Sequence, residues 1–395
     1  MTTDHDKNPR IIIPDLKELG KRLKKVDHHL VALLAKRTIL AKQVQERKRI
    51  DGNQPIIRLE TEEQRLSDVR KWADRRGVNP TFAESIFYFI IAESCRVQID
   101  HLQANTGEIE KLRKANKEEF YKILKNNLLA LTAETASSHD DNYGASADYA
   151  TALYMKFEDE AINREIDTLR SLNNLDLALD LGCATGRIAF MVAPHFAKTI
   201  GIDISPQMID ESYKKNIPGD NSIEFREFDL ENGIPVENES ASLVVMNLGT
   251  ASDIRDIKRM VAATKRVLKK DGRFAFSFYN AGALLYRWSV PWPPSLTAEI
   301  NMDTHCLNVR IRDKLFTVHA RPYSVREIKK LFTGNGLSIG SIKTYPTITP
   351  ILPSEFFDEQ DPEKINEMES IAKELEYRLA DLEKGAYILV TGRKN

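Results

Sequence analysis

The stretch from Leu177 to Gly186, LALDLGCATG, constrains the fold of this chain more than any other segment. An apolar run ends at Asp180 and is followed at once by two glycines that three small or polar residues separate, which predicts a buried β-strand leading into a tight loop. A second apolar run, TIGIDIS, carries Asp203 about twenty residues further on, the spacing at which an acidic side chain meets a ribose in a strand–loop–helix–strand unit. The two segments together predict a binding site for a nucleoside.

The loop lacks the features of a phosphate-binding site. A dinucleotide-binding turn reads G-x-G-x-x-G, which lets the backbone approach a pyrophosphate at a helix N-terminus. Here Gly182 is followed by Cys183 and Ala184, the next glycine is Gly186, and there is no P-loop lysine. We therefore do not expect a dinucleotide or a nucleoside triphosphate in this site.

Polar residues also follow three further predicted strands. The segments EFREFDLENG, ASLVVMNLGT and KRVLKKDGRFAFSFYN predict a third, a fourth and a fifth strand, the last after a helix from about Ile254 and a turn at 270–272. Ligands of open α/β sheets bind beyond the carboxyl ends of the strands. We therefore expect one crevice to collect Asp180, Gly182, Asp203, Asp229, Asn247 and Tyr279.

The pattern D-x-G-x-x-x-G at 180–186 resembles motif I of the class I S-adenosylmethionine-dependent methyltransferases, and VLKKDG resembles the hairpin before their fifth strand. The resemblance covers about residues 140–395. It implies a Rossmann-like α/β domain with a seven-stranded, mostly parallel sheet and helices on both faces. In that family, small loop residues let the backbone pass against an uncharged thioether nucleoside.

The resemblance also implies a cofactor and its contacts. The cofactor would be S-adenosyl-L-methionine, with S-adenosyl-L-homocysteine as the product. Asp203 would hold the ribose hydroxyls, Asp229 would lie near the adenine amine and Leu230 against the adenine ring. The implied cofactor-binding residues are Asp180, Gly182, Cys183, Ala184, Gly186, Asp203, Ile204, Asp229, Leu230 and Asn247.

The first hundred residues are predicted to be all-helical. Apolar residues recur at helical spacing from Pro14 to about Arg49, which predicts one helix of about 35 residues, and two more amphipathic helices are expected at about 59–76 and 81–102. A globular helix averages roughly 11–12 residues. A three-helix unit with one helix this long cannot cover its own apolar stripe, so we expect a second copy of the chain to cover it in a homodimer.

Residues 14–100 resemble the all-helical AroQ class of chorismate mutase, an interlocked dimer, through the segments VDHHLVALLAKR, KRIDGNQPI and SIFYFIIAESCRVQ. The resemblance implies a chorismate mutase-like pocket that keeps Arg37, Lys48, Glu62, Ser94 and Gln98. Two of the family's arginines are absent, because Gly20 and Thr61 stand at their positions. The family's acid three residues before the second of these is Arg58 here.

The two missing arginines limit what this pocket can do. A bidentate arginine that holds a carboxylate in a partly buried site contributes on the order of a few kcal/mol, so the loss of two predicts severely reduced mutase activity. Three roles stay open for the helical domain: weak mutase activity, a pocket for another aromatic or dicarboxylic acid, and dimerisation alone. We favour dimerisation alone.

The sequence divides into three parts. Residues 1–105 form the helical domain, 106–142 a helical connector and linker, and 143–395 the methyltransferase-like domain. Two insertions interrupt the last part, at about 281–322 and about 344–385. Because a crossover between parallel strands needs only about a dozen residues, we interpret the first insertion, which is rich in Tyr, Trp, Pro and Arg, as a cap over the substrate.

The cap and the segment before motif I supply candidate acceptor contacts. In methyltransferases a Y-G…Y pattern before motif I often belongs to a lid, and Tyr143, Gly144 and Tyr149 resemble it. A phenol or carbon acceptor would need a base, whereas a carboxylate or amine would need mainly alignment. The substrate-binding candidates are Tyr143, Tyr149, Trp288, Arg310 and Arg321, and the catalytic candidates are His319, Tyr323 and Tyr279.

Composition argues against several classes of partner. The formal net charge is −1 and basic residues are interspersed with acidic ones, so nucleic acid is not an expected partner. No apolar run approaches the roughly 20 residues of a membrane span, and the first residues are polar. We therefore expect a cytoplasmic protein without membrane contact. Cys95, Cys183 and Cys306 are scattered and odd in number, which argues against disulfides and a zinc site, and we expect no metal.

These features predict an S-adenosylmethionine-dependent methyltransferase for a small-molecule acceptor, an aromatic or amino acid metabolite of secondary metabolism. Three alternatives stay open. The chain could be a bifunctional mutase and methyltransferase, an enzyme that attacks the donor elsewhere (aminocarboxypropyl transfer or cyclisation), or a regulator that binds the nucleoside without turnover.

Overall fold

The computed structural model describes residues 14–50, 59–104, 116–143, 149–216, 222–285, 296–301, 304–311, 314–351, 362–379 and 382–395. The chain separates into two compact units, Met1–Gly107 and Glu108–Asn395. The first unit is helical, and the second contains a central sheet.

The described part of the helical unit has three helices, α1 (Leu16–Ile50), α2 (Leu59–Asp74) and α3 (Pro80–Ala104). They confirm the all-helical prediction and the 35-residue length of the first helix. α3 packs against both α1 and α2. Among the described residues of this unit, the buried apolar side chains are Ala41, Val69, Ala73, Ile91, Cys95 and Val97.

A long apolar stripe on α1 is exposed. Its members lie along almost the whole helix, and Leu23 and Leu30 are 65% and 55% exposed. An apolar surface of this extent is unusual on a monomeric soluble protein. The exposed large apolar side chains of α1 are Leu16, Leu23, Val26, Leu30, Val31, Leu33, Leu34, Ile39, Leu40 and Val44.

Among the described residues of the second unit, three helices precede the sheet: α4 (Lys117–Thr135), α5 (His139–Asn142) and α6 (Tyr149–Ser171). The elements that follow are β1 (Leu177–Leu181), α7 (Arg187–Val192), β2 (Lys198–Asp203), α8 (Pro206–Lys215), β3 (Ile223–Glu227), β4 (Ala241–Met246), α9 (Ile257–Val267), β5 (Leu268–Tyr279), β6 (Leu296–Asn301), β7 (Cys306–Ile311), β8 (Lys314–His319), α10 (Val325–Gly334), β9 (Leu337–Tyr345), α11 (Pro362–Leu379) and β10 (Tyr387–Lys394).

The central sheet confirms the predicted seven-stranded, mostly parallel architecture. Its strand order is β3-β2-β1-β4-β5-β10-β9. β10 is antiparallel to both of its neighbours, whereas β1 to β5 pair in parallel. The carboxyl ends of β1, β2, β3, β4 and β5 therefore lie at one edge of the sheet, where the first residue of β10 also lies.

Helices cover both faces of the sheet. On one face, α6 and α7 bury Ile162 and Ile188 against β4. On the other, α9 and α10 bury their apolar sides against β5, and the ring of Phe332 stacks on Phe274 with centroids 4.8 Å apart. Buried apolar area of this kind is the main favourable term in folding. The core fixes the strands and leaves the loops at their carboxyl ends to form a site.

The predicted cap contains a second, smaller sheet. β6, β7 and β8 form an antiparallel three-stranded sheet within residues 281–322. α4 packs against β8, and Phe120 and Leu124 of α4 form an apolar cluster with Cys306. The connector helix α4 and the predicted cap are thus in direct contact.

Three local predictions are refined. The turn predicted at 270–272 is present as a bulge inside β5: Leu268 pairs with Ala241, Arg273 pairs with Leu243, and Asp271 between them is left-handed (φ 59°). The helix expected from about Ile254 begins at Ile257, where Asp256 caps it by accepting a hydrogen bond from the backbone N–H of Arg259. The linker before α6 contains a 3₁₀ turn at Ala136–Ser138 and the short α5.

Candidate functional site

The glycine turn after β1 has the tight geometry that its sequence predicted. Gly182 has φ of +73°, and a Cβ on it would lie 2.4 Å from Cγ2 of Thr250. Its N–H and that of Cys183 donate to the carbonyl of Ile202 at 2.7 and 3.0 Å, which ties the turn to β2. Gly186, with φ of +91°, precedes the first residue of α7. Only glycine fits the first of these positions, because both the backbone angle and the space exclude a side chain.

Asp203 lies at the carboxyl end of β2 beside this turn. Its carboxylate accepts hydrogen bonds at 2.9 Å from the backbone N–H groups of Ala184 and Ser205. The backbone of Ile204 also bonds to it. Burial raises its pKa above the usual range, although these backbone N–H groups oppose the rise. The structure therefore brings Asp203, Ala184 and Ile204 together at the edge of the sheet.

Asp180 occupies the end of β1, is 1% exposed and is only partly hydrogen-bonded. One oxygen accepts from the backbone N–H of Ala189 at 2.9 Å, and the other, Oδ1, is buried without a hydrogen-bond partner. Burial raises its pKa to about 7. Buried polar atoms are nearly always hydrogen-bonded, so this oxygen marks a position at which a donor group of a ligand would be stabilised.

Cys183 is a buried structural residue of the turn. Its thiol lies close to Gly201 of β2, 3.0 Å from where a Cβ on that glycine would be. Burial raises the pKa of the thiol well above its usual value. A thiol of this kind is not a nucleophile at neutral pH. The role of Cys183 is therefore to fit a small side chain between the turn and β2.

Asp229 begins the 3₁₀ turn that follows β3. One carboxylate oxygen accepts from the backbone N–H of Glu231 at 3.1 Å, and the other pairs with the ammonium group of Lys125 on α4. Leu230 is buried in the main core beside it. The pair with Lys125 was not predicted, because nothing in the sequence distinguishes this lysine from the other charged residues of its helix.

The loop after β4 contains two successive left-handed residues. Leu248 has φ of 46° and Gly249 has φ of 82°, and the carbonyl of Asn247 accepts from Thr250 N–H at 2.9 Å. A Cβ on Gly249 would lie 2.6 Å from the ring of Tyr279. Asn247 is 9% exposed. This loop packs between the glycine turn, through Thr250, and the end of β5, through Tyr279.

Three tyrosines occupy one register row at the same edge. Tyr387 pairs with Tyr279 on β5 and with Tyr345 on β9. The rings of Tyr279 and Tyr387 are 5.7 Å apart, and Tyr154 of α6 stacks on Tyr387 at 4.1 Å. All three members of the row are partly exposed. Together with Tyr149 at the start of α6 they give this side of the crevice an aromatic wall.

The catalytic candidates His319 and Tyr323 lie at and just beyond the end of β8. The ring of His319 is 5.3 Å from that of Tyr121 on α4, and the ring of Tyr323 packs in the main core, 5.3 Å from that of Phe278. The backbone N–H of Tyr323 donates to the carbonyl of Tyr279 at 2.9 Å. Its hydroxyl and Nε2 of His319 are both buried without hydrogen-bond partners. Burial lowers the pKa of His319 to about 4 and raises that of Tyr323 to about 12, so both are neutral at pH 7. Arg321 lies over the Tyr323 ring at 4.6 Å and pairs with Glu327 at 3.1 Å.

The remaining acceptor candidates are only partly described. Tyr143 ends α5 at the surface, with its ring 4.7 Å from that of His139. Arg310 lies on β7, but its side chain is outside the described part of the chain, and Trp288 lies outside it altogether.

In the described residues, four ion pairs join α4 and α5 to other elements of the second unit, and none of them was predicted. The short α5 has a second polar link. The carboxylate of Asp140 accepts a hydrogen bond at 2.6 Å from the hydroxyl of Thr185 in the glycine turn. The four pairs are Glu118 with Arg255, Lys125 with Asp229, Glu134 with Lys314, and Asp140 with Lys215.

In the helical unit, four predicted pocket residues meet in two pairs. Nε of Arg37 donates to the hydroxyl of Ser94 at 3.1 Å, and the ammonium of Lys48 donates to Oε1 of Gln98 at 3.0 Å. Lys48 and Gln98 are both buried. The side chain of Glu62, the fifth predicted member, lies outside the described residues. The sequence analysis missed Gln45, which is buried with Oε1 unpartnered.

The described residues contain neither a helix suited to span a membrane nor a cluster suited to hold a metal ion. None of the helices combines the length and the hydropathy that crossing a membrane requires. No group of three or more His, Cys, Asp or Glu side chains in the described ranges has the geometry to hold a metal ion.

Part of each unit matches the model of a known family. Residues 179–276 match the family model described as methyltransferase domain, and residues 19–99 match that of chorismate mutase type II. The two resemblances predicted from the sequence are therefore confirmed.

Curated relatives match the chain over part of its length. It is 32% identical over 103 residues to the probable S-adenosylmethionine-dependent methyltransferase CRG1 of Saccharomyces cerevisiae, covering 26% of this chain and 35% of that protein. It is 27% identical over 169 residues to the uncharacterized methyltransferase YcgJ of Bacillus subtilis, covering 42% and 59%. It is 30% identical over 102 residues to the S-adenosyl-L-methionine-dependent Diels-Alderase iccD of Talaromyces variabilis, covering 25% and 34%. The chain thus spans less than two thirds of each of these relatives.

Solved structures of similar fold include an S-adenosylmethionine-dependent methyltransferase from Clostridium acetobutylicum, with 18% identity, a TM-score of 0.44 and coverage of 66% of this chain and 98% of that one. Another is a putative methyltransferase from Listeria monocytogenes, with 20% identity, a TM-score of 0.38 and coverage of 58% and 98%.

Proposed function

We propose that this chain, which carries a methyltransferase domain behind a chorismate mutase type II domain, transfers the methyl group of S-adenosylmethionine to a small-molecule acceptor. The proposed acceptor is an aromatic or amino acid metabolite. The proposed product of the donor is S-adenosylhomocysteine.

The position of Asp203 is the observation that carries this proposal. Its carboxylate is fixed by Ala184, Ile204 and Ser205 at the edge where the glycine turn leaves β1. An ionised carboxylate has about four acceptor sites, so with three of them used, capacity remains for one hydroxyl of a ribose. The unpartnered Oδ1 of Asp180 also fits a bound nucleoside.

The residues that would hold the donor follow from this geometry. Asp203 would bind the ribose, the turn at 182–186 would pass beneath it, and Asp229 with Leu230 would face the adenine. When bound, S-adenosylmethionine supplies an electrophilic methyl group. The protein's contribution is to align an acceptor with that group and to exclude water, and such alignment accounts for much of the rate in bimolecular transfers.

The aromatic wall supports an aromatic acceptor. Flat rings pack favourably against the exposed edges of the tyrosine row at 279, 345 and 387. His319 is neutral at pH 7, so its Nε2 can accept a hydrogen bond, and then the proton, from an acceptor hydroxyl or amine. Tyr323, still protonated at neutral pH, can donate to an acceptor oxygen. We assign Tyr143, Tyr149, Trp288, Arg310 and Arg321 to acceptor binding as further proposals.

Two measurements test this function in order. Calorimetric titration of the full chain with S-adenosylhomocysteine should give saturable one-site binding, whereas adenosine triphosphate should not bind. Incubation with S-adenosylmethionine and a panel of aromatic acids, phenols and amino acids should then give a product one methyl group heavier than its acceptor. Absence of nucleoside binding would contradict the proposal.

A second candidate function uses the same donor site for different chemistry. The relative named as an S-adenosyl-L-methionine-dependent Diels-Alderase favours it. In that case the acceptor panel would yield rearranged products of unchanged mass, and the nucleoside would be recovered intact. Release of methylthioadenosine would instead indicate aminocarboxypropyl transfer, and binding without any turnover would indicate a regulator.

For the helical unit we propose dimerisation. The exposed stripe of α1 is the support for it, and a second copy of the chain is the proposed cover. Chorismate mutase activity is expected to be weak or absent, since Gly20 and Thr61 offer no positive charge at two positions where the mutase family has arginines. A spectroscopic assay of chorismate consumption by the full chain tests this, and arginine at positions 20 and 61 should raise any residual rate.

A further inference from the structure

A buried carboxylate lies on the face of α6 that packs on the sheet. Glu158 is 1% exposed and shares this face with Tyr154, Ala161 and Ile162, all of them buried. An ionised group in such a position is costly unless it is paired and hydrogen-bonded. Its presence in an otherwise apolar face therefore needs a structural or functional reason.

The two oxygens of Glu158 reach two different loops. Oε1 accepts from the backbone N–H of Leu248 at 3.0 Å, in the loop after β4. Oε2 accepts from Nη2 of Arg187 at 3.4 Å, and Arg187 is the first residue of α7, directly after Gly186. Since β1 and β4 are neighbours in the sheet, one carboxylate bridges the two loops that flank the proposed donor site.

A second contact from the same helix holds the next residue of the loop. The hydroxyls of Tyr154 and Ser277 are 2.5 Å apart, and Oγ of Ser277 accepts from the backbone N–H of Gly249 at 2.9 Å. The N–H groups of Leu248 and Gly249, both left-handed, are thus held by side chains and not by backbone carbonyls. A left-handed residue other than glycine persists only where its surroundings fix it.

We propose that Glu158 is a positioning residue of the donor site, which holds the glycine turn and the loop after β4 at the separation that the nucleoside requires. This inference rests on the proposed donor. Thr250 of the held loop fills the space beside Gly182, so a shift of the loop changes the shape of the turn directly.

The charge of Glu158 gives the inference a specific signature. Burial raises its pKa to about 8, against the opposing effects of Arg187 and the Leu248 N–H. The other groups facing it are Asp159, which raises the pKa, and Tyr154, which hydrogen-bonds to it. The bridge to Arg187 is therefore strongest above pH 8 and weaker at pH 6, where the carboxyl is protonated.

The test compares donor affinity at two pH values in matched variants. S-adenosylhomocysteine is titrated calorimetrically into the full-length wild type, Glu158→Gln and Asp159→Asn at pH 6 and pH 9. Asp159 is the matched control, because it pairs with the same Arg187 at 2.7 Å but makes no contact with the loop. We expect Glu158→Gln to bind about tenfold more weakly than wild type at pH 9 and about equally at pH 6, with Asp159→Asn within about twofold of wild type at both.

Hydrogen exchange gives a readout that does not need the donor. The amide of Leu248 should exchange faster in Glu158→Ala than in wild type, with the strands of the sheet unchanged. The inference is overturned if wild type binds and Glu158→Gln matches it at pH 9, or if Asp159→Asn loses as much affinity. Wild type that binds no nucleoside contradicts the proposed function instead. If Glu158→Ala does not fold, hydrogen exchange is measured on Glu158→Gln, which keeps the size of the side chain.

Discussion

Asp140 and Thr185 join α5 to the glycine turn through a hydrogen bond of 2.6 Å between their side chains. The same carboxylate pairs with Lys215 of α8. Partial burial alone would raise the pKa of Asp140, but hydrogen bonds from Lys215 and Thr185 outweigh it and hold the pKa below its usual value. The segment before motif I is therefore anchored on the turn itself.

Asp140→Asn should release this anchor. The variant loses the ion pair with Lys215 and weakens the bond to Thr185, so the donor should leave faster, and we expect affinity for S-adenosylhomocysteine to fall about threefold to tenfold. Stopped-flow measurement of the dissociation rate checks this. The neighbouring exposed Asp141→Asn is the control, and an equal effect in both variants would show that net charge, not the anchor, is responsible.

Asp203→Ala should abolish detectable donor binding. It removes the proposed ribose contact and leaves the N–H groups of Ala184 and Ser205 without their partner, which should also lower the free energy of unfolding by about 1–3 kcal/mol. Calorimetry and urea unfolding measure the two effects separately. Asp210→Asn, on the exposed side of α8, should change neither, and wild-type affinity in Asp203→Ala would count decisively against the donor site.

Gly182→Ala should destabilise the domain by about 1–3 kcal/mol, because its left-handed backbone disfavours a side chain and the new methyl would meet Cγ2 of Thr250. Thr250→Ser removes that Cγ2. The double variant Gly182→Ala with Thr250→Ser should therefore recover part of the loss in urea unfolding. Additive effects of the two substitutions would show that the clash is not the cause.

The stability of the sheet domain should fall as pH rises from about 5 to 8. Burial raises the pKa of Glu158 to about 8 and that of Asp180 to about 7 in the folded state. At a pH above the ordinary pKa of each carboxyl and below its folded pKa, the folded protein keeps a proton that the unfolded protein has released. The stabilising contribution is complete near pH 4 and is lost as pH rises through the folded values. Unfolding free energies across this range should decline by at least about 1 kcal/mol.

Two variants test whether the carboxyls of Glu158 and Asp180 cause this decline in the free energy of unfolding. Glu158→Gln and Asp180→Asn should each flatten the profile, whereas the exposed Asp167→Asn should leave it unchanged. A profile of Glu158→Gln that follows wild type throughout would mean that this carboxyl does not titrate in the range.

Leu30→Glu should convert the proposed dimer to a monomer. Leu30 lies in the exposed stripe of α1, and a charge at the centre of an apolar interface is costly to bury. Sedimentation velocity measures the change in mass. The control is Lys24→Glu, an exposed charge reversal on the same helix. A wild type that sediments as a monomer at micromolar concentration would remove the basis of the proposal.

Local patterns predicted the parts of the site that short-range geometry determines. Asp180, Gly182 and Asp203 follow from the spacing of two strands and a turn, and the structure places them together at one edge. The ion pair between Lys125 and Asp229 could not be predicted, since the partners are far apart in sequence and neither departs from the ordinary pattern of a charged helix or a turn.

Glu158 differs from these, because the sequence did contain a signal. It interrupts the apolar face of α6 at the helical spacing of Tyr154, Ala161 and Ile162, and a charge on the inner face of an amphipathic helix indicates a buried partner. What the sequence could not supply was the identity of that partner. Leu248 contributes only its backbone N–H, and because every residue except proline has one, the sequence does not identify it as the partner.

The reversed direction of β10 has a practical consequence for experiments with this chain. Its first residue, Tyr387, borders the crevice, whereas Lys394 pairs with Leu337 at the opposite edge of the sheet. A biotin label placed at the exposed position 395 would therefore lie on the side away from the proposed ligand site. Immobilisation through that point should leave binding kinetics on a sensor chip equal to those in free solution.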